Sequence, residues 1–211
     1  DTPYSRTQPA SIRRRLPPVR EEPTLLQQSS ATTCLRTLTA GGMAAKQAVD
    51  LLDCIEWSGI ECLNQKPGHT WENALKQGYR ENEAVWLESD CDEQIILNLP
   101  FNQVIKLHSI HISGPTDGSG PKRVRLFVNR PSLGFSDATD DASTQDLELS
   151  EADLTSADPL PLKFVKFQCV RSLAIFVESN QDDEDVTKLF KLQLLGSPVE
   201  TTNMSEFKAV G

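Results

Sequence analysis

The chain has 211 residues, 38% hydrophobic and 24% charged, which suits one globular domain of ordinary size with a tail. No apolar run approaches the roughly 18 residues a membrane-spanning helix needs. The formal charge of −9 is uneven: residues 1–42 hold six Arg against three acids (+3), leaving 15 basic and 27 acidic residues (−12) in the rest. A body this acidic repels nucleic-acid phosphates and anionic lipid and suits a basic protein partner.

Residues 1–42 are rich in Arg, Ser, Thr and Pro and have little periodic hydrophobicity. They bury too little apolar surface to offset ordering entropy, so a disordered leader or linker is expected there. Such an Arg- and Ser-rich, acid-poor segment resembles an organelle transit peptide. The competing reading starts the protein at Met43, because "GGMAAKQAVDLLD" leads straight into ordered-looking sequence. The folded domain is expected over residues 43–211, with a C-terminal extension after Gly196 that is a second candidate for partner binding.

From residue 48 the pattern tightens. "AVDLLDCIEW" and "WENALKQG" each read as a short helical turn, the second ended by Gly78. Strand-length runs follow: "AVWLES", "EQIILNL", "QVIKLHSIHI", "KRVRLFVN", "QDLEL", "LKFVKFQCV", "RSLAIFVES" and "VTKLFKLQLLG". In "QVIKLHSIHI" the apolar phase shifts between Leu107 and Ile110, the mark of a bulge or of burial on both faces. "SGPTDGSGP", "NRPSLGFSD" and "ESNQDDED" carry turn chemistry. About eight strands without a long helix predict an all-β antiparallel sandwich or jelly roll, with the helical pieces at one end.

The five cysteines are Cys34, Cys54, Cys62, Cys91 and Cys169. An odd number without a readable secretory signal points to reduced thiols in a cytoplasmic or nuclear protein. An organelle location follows only if residues 1–42 are a transit peptide. In "CIEWSGIEC", Cys54 and Cys62 are seven residues apart, too far for the C-x-x-C of a redox pair. Zinc needs four ligands, and no second pair of cysteines or histidines has suitable spacing. His108 and His111, at odd separation in a strand, point to opposite faces unless a bulge intervenes. No G-x-S-x-G and no H-E-x-x-H occurs. Paired carboxylates such as Glu88 with Asp90, or Asp92 with Glu93, are expected by chance in so acidic a chain. The expectation is therefore no catalytic residue, no cofactor and no metal. "QDDEDV" lacks the alternating oxygens and glycine of a calcium loop and reads as a solvated acidic loop.

Several blocks taken together resemble the PITH domain, whose name stands for proteasome-interacting thioredoxin. They are "DLLDCIEWSGIECLNQ" (50–65), "NALKQGYREN" (73–82), "LESDCDEQIILNLPFNQVIKLHSIHISGP" (87–115), "VRLFVNRPSLGFSDA" (124–138) and "LKFVKFQCVRSLAIFVESNQDDEDVTKLFKLQLLGSPVETTNM" (162–204). The resemblance covers roughly residues 48–207. It implies a β-sandwich of the galactose-binding-domain type and association with the 26S proteasome. Members of the thioredoxin-like type use a C-x-x-C in a thioredoxin domain. This sequence contains no C-x-x-C, so it is similar to the stand-alone type and inherits no reductase activity. Within "CIEWSGIEC", Trp57 and Ile60 are then expected to supply burial and Gly59 the turn.

The resemblance supplies no contact residue. Charge and loop position nominate Asp182, Asp183, Glu184 and Asp185 for partner binding, with Arg123 and Arg130 as a second patch. The leading expectation is a monomeric, non-enzymatic module that binds the proteasome and neither nucleic acid nor membrane. The alternatives are a sugar-type small-ligand sandwich, for which Trp71 is the available aromatic because Trp86 reads as strand core, and a thiol redox accessory using Cys54 and Cys62. Fold alone does not choose among these.

Overall fold

The computed structural model describes residues 48–199. The leader expected over 1–42, the start at Met43 and most of the extension after Gly196 lie outside them. In chain order the strands are β1 (Val49–Asp50), β2 (Glu61–Leu63), β3 (Leu87–Glu88), β4 (Ile95–Ser113), β5 (Pro121–Val128), β6 (Gln145–Glu148), β7 (Leu160–Pro161), β8 (Val170–Asn180), β9 (Lys188–Leu189) and β10 (Lys191–Pro198). Three short helices intervene: α1 (Trp71–Leu75), α2 (Phe135–Asp140) and α3 (Glu151–Thr155).

The two runs "EQIILNL" and "QVIKLHSIHI" form one strand. β4 is 19 residues long and pairs antiparallel with four partners. Its first part, 95–100, lies between β2 and β8; its second, 105–113, lies between β10 and β7. The β4–β8 register shifts between Pro100 and Ile105. Pro100 has no N–H to donate, so the ladder breaks where the chain turns from one layer to the other. One layer runs β2–β4–β8–β5–β6 and the other β1–β10–β4–β7.

The main core fills the space between the layers. Leu97 and Leu99 meet Ile110 and Ile112 of the same strand, together with Val124, Leu126, Leu173, Ile175, Leu192 and Leu194. The first layer is also covered on its outer face. Ile96, Phe127, Ala174 and Phe176, out of phase with the main core, pack under Leu133, Phe135 and Ala138. This double burial explains the unbroken apolar run of β8, where simple alternation would leave every second residue in water.

The phase shift in β4 has the predicted cause. Leu195 pairs with Ser109 but Gly196 pairs with Leu107, so His108 is the extra residue of a bulge. His111 is buried, with its Nε2 2.9 Å from the Ser156 carbonyl oxygen, while His108 packs edge-on against Phe164. Gly196 faces the bulge. A Cβ there would drive into the Lys106 carbonyl oxygen and lie 3.0 Å from Leu51 Cδ1.

Two sequence expectations need correction, and two further features add to them. "LKFVKFQCV" is a 3-10 turn at Phe164–Phe167: it buries Leu162 and Phe167, five apart, while Phe164 and Val165 face solvent. "NRPSLGFSD" leads into α2, whose terminal carbonyls on Ala138, Thr139 and Asp141 accept hydrogen bonds from the Arg125 guanidinium. Arg125 is therefore a capping residue. "SGPTDGSGP" crosses between layers, since β4 and β5 are not neighbours. α3 carries a capping box, Ser150 with Asp153, that the S-x-x-D spacing of the sequence announces.

The "CIEWSGIEC" block also departs from expectation. Cys54 and Ile55 supply most of its burial and Ile60 packs against the core as expected, but Trp57 is 37% exposed and stacks on Trp71 at 6.0 Å. Gly59 does permit a close approach, since a Cβ there would sit 2.9 Å from Pro100 Cγ. Trp86 is not strand core. It stacks on His69 at 4.7 Å, and its Nε1 donates to the Glu88 carboxylate at 2.8 Å. Lys66 Nζ donates to the same carboxylate at 2.6 Å. Burial alone would raise the Glu88 carboxyl. The hydrogen bonds from Lys66 and Trp86 and the charge of Lys66 outweigh it and hold the group below its ordinary value.

Cys54, Cys62, Cys91 and Cys169 are all free thiols. Cys54 is buried in the main core, and burial pushes the Cys62 thiol up to about 12. Cys62 is therefore protonated at neutral pH, the wrong state for thiol exchange.

Two predictions follow from these contacts. Gly196→Ala lowers stability by about 3 kcal/mol in urea unfolding, whereas Gly134→Ala, with open space around its Cβ, costs under about 1 kcal/mol. Equal losses would show that the bulge packing is not as described. Alkylation at pH 8 followed by peptide mass spectrometry labels exposed Cys91 and Cys169 first, half-buried Cys62 more slowly and buried Cys54 only on unfolding. Labelling of Cys54 as fast as Cys91 would contradict its burial.

Candidate protein-interaction surface

The acidic loop follows β8 and is built by the last residue of that strand. Asn180 is fully buried. Its Nδ2 donates to the carbonyls of Glu184 (2.7 Å) and Val186 (3.2 Å), and its Oδ1 accepts from the Glu184 N–H (2.8 Å). One amide side chain thus closes the loop from inside, the backbone-mimicking role for which Asn is suited. Asp183, at φ 55°, takes the left-handed conformation the closure requires.

A second set of bonds fixes the loop to the crossover 114–120. Gln181 N–H donates to the carbonyls of Gly118 and Gly120, Asp182 N–H to Gly118, and Lys188 N–H to Ser119. The Gln181 side-chain amide donates to the carbonyls of Pro121 and Leu149, both at 2.8 Å. Gly118 sits at φ +91°, and a Cβ on it would lie 2.7 Å from Asp182 Oδ2. The crossover and the acidic loop therefore form one interlocked unit.

The side chains of Asp182, Asp183, Glu184 and Asp185 are all exposed on this frame. Among the described residues none of the four forms an ion pair; Lys188 pairs with Asp117 at 3.6 Å and Lys122 Nζ donates to the Gln181 carbonyl at 3.2 Å. Asp117 is a fifth exposed acid that sequence reasoning passed over. The Ser119 hydroxyl donates to its carboxylate and, with Ser119 N–H and Lys188, holds it below its ordinary value against the opposing effect of burial. The D-G-S turn was the available signal, but nothing in the sequence places it beside residue 182.

Arg123 lies within β5, whereas Arg130 follows its end, past Asn129 in the left-handed conformation at φ 59°. Arg123 faces Glu178 at 3.3 Å and Asp146 at 3.9 Å, and Arg130 pairs with Asp141. Glu88, a candidate for paired-carboxylate chemistry, is spent on Lys66 and Trp86. Among the described residues no group of three or more His, Cys, Asp or Glu is arranged to hold a metal ion, and no helix is long and apolar enough to cross a membrane. What the arrangement offers is a rigid, negatively charged surface for a basic group.

Comparison with known proteins agrees with this architecture. Among solved structures, the paired CBM32-1 and CBM32-2 domains of Clostridium perfringens ZmpB superpose with a TM-score of 0.52 at 13% identity, covering 72% of this chain and 37% of that one. The same domains in complex with GalNAc give 0.52 at 14% identity, covering 72% and 36%. The likeness is one of fold, the galactose-binding type. In sequence, the chain is 38% identical over 200 residues to thioredoxin-like protein 1 of Schizosaccharomyces pombe, covering 92% of this chain and 67% of the relative. It is 32% identical over 147 residues to human PITH domain-containing protein 1, covering 69% and 68%. The PITH domain family model matches residues 42–211. With that match over most of its length and relatives at this level of identity, the chain belongs to the PITH domain family.

Proposed function

We propose that the protein is a non-enzymatic binding module of the cytoplasm and nucleus that docks on the 26S proteasome. The observation that carries the reading is the acidic loop, four exposed carboxylates on a backbone locked by Asn180, Gln181 and the crossover. A fixed array of like charges recognises a basic surface without the ordering cost a mobile loop would incur. Membership of the PITH family supports the choice of partner. Arg123 and Arg130, engaged with neighbouring acids, are the weaker part of the reading.

The test uses the full chain and purified 26S proteasomes. Co-sedimentation at low salt, weakening as salt rises, is the expected result. Reversal of Asp182, Asp183, Glu184 and Asp185 to Lys weakens it about tenfold or more, with the melting temperature within a few degrees of the parent because the side chains are exposed. No co-sedimentation of the parent at low salt would reject the proteasome as partner. Unchanged binding by the reversed loop would reject the loop as contact.

A second reading, a sugar-type ligand site, has one observation in its favour. Trp57 presents part of its ring to solvent and is braced by Trp71, with Lys76 Nζ 5.6 Å from the Trp71 centroid. An aromatic face held this way can stack on a sugar ring. Titration with monosaccharides while tryptophan fluorescence is followed decides it: a saturable change lost in Trp57→Ala supports the site, and a flat response removes it.

A further inference from the structure

The segment misread as a strand, Lys163–Phe167, presents the most exposed large apolar side chain among the described residues. Val165 is 86% exposed and Phe164 45%. Lys163 and Lys166 flank them, and all four residues from Lys163 to Lys166 face solvent.

The knuckle is rigid. Leu162 at 8% exposure and Phe167 at 0% anchor its two ends in the main core. The Leu162 N–H donates to the His108 carbonyl at 2.9 Å, and the Lys163 N–H to Gln145 Oε1 at 2.8 Å. Lys166 N–H closes the turn on the Lys163 carbonyl at 2.8 Å, and its Nζ donates to the Thr144 carbonyl at 2.7 Å. The bulged His108 braces the Phe164 ring edge-on at 5.0 Å. A turn this firmly held keeps the Val165 side chain and the uncovered part of the Phe164 ring in water at a fixed position.

We propose that this knuckle is a docking element for a protein partner that presents an apolar pocket rimmed by carboxylates. Val165 and Phe164 fill the pocket, and Lys163 and Lys166 meet the rim. The charge runs opposite to that of the body, net −12 after residue 42, and opposite to the acidic loop, so the partner surface met here differs from the basic one that loop suits. A membrane is the poorer occupant. Adsorption to anionic lipid takes a cluster of several cations, and two lysines on an acidic body do not supply it. The inference deepens the reading of the protein as a binding module and rests on it, but not on the identity of the proteasome.

The test places a photo-reactive phenylalanine analogue at position 165 of the full chain, irradiated in cell extract, with adducts identified by mass spectrometry. The expected result is one predominant protein adduct, cross-linked beside acidic residues. Its yield falls tenfold or more in Lys163→Glu with Lys166, whose Nζ holds the turn on the Thr144 carbonyl, left in place, and it survives reversal of residues 182–185. An adduct with a proteasome subunit supports both proposals. Such an adduct with another protein supports the knuckle and leaves the proteasome reading to be decided by co-sedimentation. No protein adduct, an adduct only with lipid or a second copy of the chain, or a yield indifferent to the Lys163 change overturns the knuckle while leaving co-sedimentation through the acidic loop to be judged separately. Val165→Asp, which leaves the melting temperature unchanged because residue 165 is in solvent, competes poorly against the photo-adduct; equal competition also overturns it.

Discussion

A single strand has to serve both layers of this sandwich. β4 bonds to β2 and β8 before Pro100 and to β10 and β7 after Ile105, so its bend sets where the layers face each other. Everything placed on the sheets inherits that geometry. Leu97 and Ile112, fifteen residues apart on one strand, end in the same core. The bulge at His108 then corrects the phase, so that Leu107 and Ile110 both point inward despite their odd separation. Without it the far half of β4 would present Ser109 and His111 to the core.

Side chains that close loops extend this order to the surface. Asn180 fixes residues 184–186 and Arg125 caps α2, each using a polar group at a strand position to satisfy carbonyls that no ladder reaches. The acidic loop and the Phe164–Val165 knuckle are therefore both held surfaces of opposite sign, one after β8 and one just before it. A partner that engages both must carry basic and acidic regions in a fixed relation.

Much of this was legible in the sequence, and what was not has physical reasons. The strand runs, the bulge between Leu107 and Ile110 and the acidic exposure of 182–185 all follow from local alternation and charge. β4 reads locally as two strands because a proline and polar Asn102–Gln103 interrupt it, and local pattern cannot tell a bend from an end. The 3-10 turn at Phe164–Phe167 reads as a strand because three apolar residues in a short run fit several periods. The placing of Asp117 beside the acidic loop, and the engagement of Arg123 by Glu178 and Asp146 and of Arg130 by Asp141, depend on contacts between distant segments. No local rule reports those.

The pairing of β1 with β10 joins Val49 to Gly196, nearly the two ends of the described chain. β10 is also a principal neighbour of β4, the strand both layers share. On the ribosome, β4 is therefore made long before the strand that completes its far half, and its edge stays open until about residue 198 has emerged. The domain closes late in synthesis, from contacts of the longest sequence separation it has. Until then the half-paired strand is the segment most in need of a chaperone.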